Sequence, residues 1–262
     1  MKKIFALITM MILAAQVFGA GTRTGRPRDL ITVERKVETF DRIKITGPIE
    51  LVVITGKDQQ KVMITSDSKY LHTISTETHN GELEICMTGL LKLKNVSEVF
   101  KVEIWVNDLK NLSAAGLAKV TFPEKTTLNN FSVTTAGVAQ TTFNDLEITG
   151  KLNAEISGAS HLIINGTAAK AAFEGSGACN VTFNGKAGAI SLEMSGACKT
   201  FVTAESESMD IEASGACKIT LTGHTANLKL EASGATSIRS EKFKADNRSV
   251  SFSGAAKISI VD

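Results

Sequence analysis

The sequence has one tryptophan, one tyrosine and three prolines in 262 residues. So few Trp and Tyr argue against a sugar-stacking cleft or a base-stacking nucleic-acid platform, since both need large aromatic faces. Few prolines mean little forced punctuation of the backbone. No block of like charge exists: 29 basic and 27 acidic side chains are spread along the chain, for a formal net charge of +2. A polyphosphate or an anionic membrane surface is therefore not the expected partner. The four cysteines lack Cys-X-X-Cys spacing, and His72, His79, His161 and His224 lack ligand spacing, so no metal or cofactor site is expected from them. Each histidine reads as a surface or turn residue.

Long apolar runs are also scarce; there is one, near the N-terminus. Lys2 and Lys3 precede a mostly apolar stretch, Ile4 to Val17, too short for a comfortable membrane span. Val17-Phe18-Gly19 then places small or tolerated residues where signal cleavage is read. A signal peptide over 1–19 is expected, with an uncleaved anchor as the alternative. Residues 20–34 read as a leader or linker. No cysteine follows the apolar stretch, so the protein is expected to be exported (periplasmic, outer-surface or secreted) and not a lipoprotein. Removing Lys2 and Lys3 takes the 29 basic residues to 27, equal to the 27 acidic ones. With no second apolar run, no transmembrane segment is expected after signal removal.

What is abundant is glycine, 21 residues, and it is periodic. Ala-Gly or Ser-Gly recurs at Gly116, Gly137, Gly158, Gly177, Gly196, Gly215, Gly234 and Gly254, with spacings of 19 to 21. After each glycine, apolar residues sit mainly at +4 and +6, as in Val120 and Phe122, Leu162 and Ile164, Val181 and Phe183, Ile219 and Leu221, and Ile258 and Ile260. Before it they sit at −4 and −2, as in Ala154 and Ile156, Leu192 and Met194, and Ile211 and Ala213. Period two on both sides means strands with one buried face, and helical spacing is absent. Two short strands plus turns fill one repeat, which is one coil of a parallel β-helix. A lone coil cannot bury its apolar face, whereas stacked coils enclose a shared core. The expected fold is all-β: a single-stranded parallel β-solenoid with about eight regular coils over 111–262.

Stacking turns each repeat position into a column. The −4 column is Ala154, Phe173, Leu192, Ile211, Leu230 and Val250; the −2 column is Ile156, Gly175, Met194, Ala213, Ala232 and Phe252. Both are expected to be core. Gly158, Gly177, Gly196, Gly215 and Gly234 are expected to be structural, because the backbone turns there and coils approach closely. Residues 35–110 lack the Ser-Gly-Ala bend yet alternate like strands, at Ile43 and Ile45, Leu51 and Val53, Val62 and Ile64, Leu83 and Ile85, and Val102 to Val106. They read as irregular early coils or a β-rich cap that covers an open strand edge.

The Ser-Gly-Ala turns at Ser157, Ser176, Ser195, Ser214 and Ser233, with the upstream pattern Val37-Glu-Thr-Phe40, Ile43-Lys-Ile45 and Gly47-Pro-Ile-Glu-Leu51, resemble the putative autotransporter adhesin, head GIN domain family. The resemblance covers roughly residues 35–260. It implies an exported right-handed parallel β-helix and carries over no catalytic motif. This chain departs from lipid-anchored relatives in lacking the signal cysteine.

Two columns bear chemistry. Cys179, Cys198 and Cys217 share the +2 position, with Cys86 apart. They read either as a structural thiol ladder, since other coils carry small residues there, or as containing a disulfide between adjacent coils. Glu155, Glu174, Glu193, Glu212 and Glu231 all occupy −3, between two buried positions, and so point outward in a line. A solvated ladder is the simple reading; a bound cation or a basic partner is the other. The +3 column, His161, Asn180, Lys199, Lys218, Ser237 and Lys257, reads as a wet face, and Trp105 as an outward contact residue or one covered by the cap.

The expected function is a non-catalytic binding or scaffold module of the cell envelope, adhesin-like, whose partner is an envelope or extracellular protein or polymer and not nucleic acid; homo-oligomers are open. One alternative is a polysaccharide-active lyase or hydrolase, which the unbroken repeats and missing aromatics disfavour. Another is a self-assembling envelope polymer joined end to end.

Overall fold

The structure is a computed structural model and describes residues 29–88 and 99–259. The expected signal segment, the leader up to residue 28, and Ile260 lie outside the described residues. Seventeen strands run in chain order as β1 (Leu30–Arg35), β2 (Arg42–Thr46), β3 (Glu50–Ile54), β4 (Lys61–Asp67), β5 (Ile74–His79), β6 (Glu82–Met87), β7 (Phe100–Trp105), β8 (Asn111–Ala115), β9 (Lys119–Leu128), β10 (Phe131–Thr135), β11 (Gln140–Ile156), β12 (His161–Gly175), β13 (Asn180–Met194), β14 (Lys199–Ala213), β15 (Lys218–Ala232), β16 (Ser237–Phe252) and β17 (Lys257–Ser259). Among the described residues there is no α-helix, only one 3-10 turn at Leu71–Thr73.

From β8 onward neighbouring coils are parallel, with unbroken register from β12 to β15 and local register shifts where β9 meets β11, β11 meets β12 and β15 meets β16. His161, Asn180, Lys199, Lys218, Ser237 and Lys257 pair in succession, as do Glu155, Glu174, Glu193, Glu212 and Glu231. The chain is thus a β-solenoid of about 7 turns with irregular N-terminal strands. Over the eighth repeat counted in sequence, the described strand β17 pairs with Ser237–Arg239 of the coil beneath it. Each regular coil is one strand of 15 residues, not two short ones. It bends at a second corner, near Gly166, Gly185 and Gly223, without losing its ladder to the next coil.

The core is continuous. Val120, Phe122, Leu162, Ile164, Val181, Phe183, Ile219 and Leu221 are at most 1% exposed. Phe122 stacks on Phe143 with ring centroids 4.3 Å apart, and Phe131 meets Phe143 edge-on. Fully burying one such side chain contributes roughly 1.5–3 kcal/mol, so a column of them drives the stacking.

Val250 and Phe252 depart from the expected core. They share inward columns with Leu230 and Ala232, yet are 41% and 64% exposed. No described strand lies above that part of β16.

The N-terminal strands are both early coils and cap. β2 and β3 form a coil that sits directly on β8 and β9, so Gly47 lies in the bend column beneath Gly116. β6 and β7 stack parallel on the other side of β2 and β3. Spatial order therefore inverts chain order: β6 and β7 lie outside β2 and β3. The end is closed by antiparallel partners, β5 on β6, β4 on β7 and β1 on β4. Residues 30–34 fall within the expected leader of 20–34, and Arg35 within the segment that follows it. Leu30–Arg35 form β1, a run rich in β-branched residues that pairs antiparallel with β4.

Candidate functional site

Each Ser-Gly-Ala bend is hydrogen-bonded to the bend below. Ser195 N donates to the Gly175 carbonyl (2.8 Å), Ala197 N to Gly177 (2.7 Å) and Lys199 N to Cys179 (2.9 Å). The bends stack into a straight edge. On one side of it the −3 glutamates and −1 serines border an open groove of about 620 Å³ that runs along the stack. Glu155, Glu174, Glu193, Glu212 and Glu231 line it with Ser157, Ser176, Ser195, Ser214 and Ser233; Thr134 stands at one end and Ser251, Phe252 and Ser253 at the other. The five glutamates are exposed and pair residue to residue across successive coils.

Adjacent carboxylates one strand spacing apart repel by about 0.9 kcal/mol in water before salt screening. Lys229 relieves this at one end. Its Nζ lies 3.1 Å from Glu231, 3.7 Å from Asp210 and 3.9 Å from Glu212. The hydrogen bond to Glu231, with the charges of Asp210 and Glu231, holds the Lys229 ammonium above the ordinary lysine value. Among the described residues no ion pair is formed by Glu155, Glu174 or Glu193. Lys229 therefore offsets the carboxylates at the Glu212 and Glu231 end of the groove. Across the bend lies the +3 column, where Lys199 and Lys218 are exposed and the Lys199 Nζ sits 5.0 Å from the Phe201 ring centroid. Acid and base thus occupy opposite sides of one edge.

The cysteine column is buried. Cys179 and Cys198 form a disulfide with Cα atoms 4.7 Å apart, while Cys217 is a buried thiol and Cys86 a free one of intermediate burial. Of the readings left open above, the disulfide between adjacent coils describes the first pair. A Cβ built on Gly175 would stand 2.5 Å from Met194 Sδ in the next coil and 2.9 Å from Cys179 Sγ, so the glycine leaves room for both sulfurs.

The remaining candidates do not converge. His79 pairs with Glu77 (3.3 Å) and His224 with Asp246 (3.1 Å), on opposite parts of the chain, and all four histidines are exposed. Trp105 is half-buried between β3 and β4, with Lys61 Nζ 5.9 Å from its ring. The pattern did mark the glutamates and serines of the groove. It did not mark Phe252, whose spacing is that of a core residue.

The sequence profile of the putative auto-transporter adhesin, head GIN domain family matches residues 39–183 and 171–262. The chain belongs to this family. Solved structures of similar fold bear on the head GIN assignment only through shape. A putative adhesin from Parabacteroides distasonis ATCC 8503 aligns with a TM-score of 0.75 at 17% identity, over 88% of this chain and 97% of that one. A putative lipid binding protein from the same organism gives 0.74 at 18% identity, over 89% and 97%. A putative adhesin from Bacteroides fragilis NCTC 9343 gives 0.67 at 19% identity, over 88% and 97%. No curated protein matches the chain in sequence. The head GIN description names adhesion and no reaction. No helix among the described residues is long and apolar enough to cross a membrane.

Proposed function

We propose that this head GIN chain is an exported, non-catalytic binding module of the cell envelope that holds an extended, amine-bearing polymer along its acidic groove. One observation carries the reading: five glutamates in strict register along an open groove of about 620 Å³. Repulsion along an unneutralised ladder is relieved by a partner presenting cations at short, regular intervals. The serines beside the carboxylates add hydroxyl donors and acceptors for a polar ligand. Export is supported by the basic and apolar pattern at the N-terminus and by the adhesin description of the family. Lipid binding, named for one structural neighbour, draws less support, since glutamate and serine side chains dominate the groove wall.

The test is surface-based binding of chitosan oligosaccharides, oligolysine and neutral cello-oligosaccharides to the intact protein and to the triple variant E155Q/E174Q/E193Q. The proposal predicts retention of an amine-bearing polymer, none of the neutral one, and loss of binding in the variant. Equal retention of neutral and amine-bearing polymers would overturn it.

A further inference from the structure

We propose that the disulfide of this protein is not fixed, and exchanges along the core between Cys179–Cys198 and Cys198–Cys217. The three residues occupy one column in successive coils, which the ladders hold in register: Val181 pairs with Thr200, and Thr200 with Ile219. Cys198 thus lies one strand spacing from a cysteine on either side. Cys179 and Cys217 are two spacings apart, roughly 9.5 Å, which exceeds the reach of a disulfide. Cys198 is therefore a member of every disulfide the column can form, and one outer cysteine always remains a thiol.

The column also sets the three cysteines in the order that exchange needs, with Cys198 between the other two. Thiolate attack on a disulfide places the attacking, central and leaving sulfurs roughly in line. Here three side chains follow one another along the stack. Cys217 gives up its thiol proton and its Sγ bonds to Cys198 Sγ; the Cys179–Cys198 bond breaks, and Cys179 leaves as a thiolate that takes up one proton, so the proton given up at Cys217 is balanced by the one gained at Cys179. One S–S bond forms as one breaks, so no oxidant or reductant is consumed. The resting Cys217 thiol donates to the Ser214 carbonyl at 3.1 Å. Below Cys179 in the same column, Ser160 is fully buried and its hydroxyl has no hydrogen-bond partner, which leaves a donor free for the departing thiolate.

Neither isomer has a backbone advantage. The present disulfide spans 19 residues, and Cys198 to Cys217 spans 19 as well, so the loop-closure contribution is the same. The bends match too: Ala197 N donates to Gly177 and Ala216 N to Gly196, both at 2.7 Å. The covalent tie between coils can therefore shift by one coil without the core being rebuilt.

The tryptic sites separate all three cysteines, because Lys170, Lys186, Lys199 and Lys218 bound peptides 171–186, 187–199 and 200–218. The full chain, prepared without reductant, is denatured in N-ethylmaleimide at mildly acidic pH to cap free thiols, then digested and analysed by mass spectrometry. Expected are two linked species, 171–186 with 187–199 and 187–199 with 200–218, in a ratio within about tenfold of unity given equal loops. That ratio should be the same after oxidation by air or by oxidised glutathione. C179S should form the second linkage and C217S the first, while C198S should form neither. A single linkage in the unmutated chain, a ratio set by the oxidation route, a reduced C179S, or any 171–186 to 200–218 linkage would overturn the proposal.

Discussion

Gly215 lies directly over Gly196, and a Cβ built on Gly215 would stand 2.6 Å from the Gly196 carbonyl oxygen. Gly215 also has φ +84°, where an L side chain is strained. Both effects act on Gly215→Ala, since the obstacle is backbone and cannot rotate away. The expected cost is about 2–4 kcal/mol, a fall in Tm of roughly 5–15 °C by circular dichroism. A fall below about 2 °C would show that the bends are not in contact.

Leu192 and Val250 share a column, but the first is fully buried and the second 41% exposed. Leu192→Ala should cost about 2–5 kcal/mol, and Val250→Ala less than about 1 kcal/mol. Denaturant unfolding of both variants measures the difference. Equal costs would mean that the end of β16 is covered.

The bend column was legible because eight glycines repeat in a nearly constant register. Gly47 was not, since Thr46-Gly47-Pro48 lacks the Ser-Gly-Ala wording and the whole of β4 to β7 intervenes before Gly116. Likewise, nothing local says that β6 and β7 lie outside β2 and β3. That order is fixed by which edges pair at long range. The glutamate column was readable from alternation alone. The exposure of Phe252 was not, because its own spacing is a core spacing, and what decides is that no described strand pairs with that part of β16. Gly175 was legible as a column member, but its reason, the sulfurs beside it, required the packing.

Stability should respond weakly to acid. The carboxyl of Asp41 is held below its ordinary value chiefly by the hydrogen bond from Lys110, that of Glu147 by Lys125 and that of Glu205 by Lys186. A carboxyl lowered on folding contributes stability above its unfolded value and loses it as pH falls through the folded one. Tm should therefore be flat from about pH 7 to pH 5 and decline below about pH 4. These pairs are solvent-exposed, so about 1 M salt should remove most of their contribution. Thermal melts across pH at two salt concentrations check this. A decline centred near neutral pH would contradict the assignment.

Glu193→Gln removes one member of the ladder without touching the core. Its Tm should stay within about 2 °C of the unmutated chain, as for other surface substitutions. Its binding of an amine-bearing polymer should weaken, most clearly at low salt. A large loss of stability would place Glu193 in a structural role instead.

The most direct test is isothermal titration with oligolysines of increasing length. Five stacked carboxylates predict affinity that climbs with each added amine until the groove is spanned and then levels off, and a flat response in E155Q/E174Q/E193Q. Affinity independent of length, or unchanged in the triple variant, would contradict the groove as the binding surface.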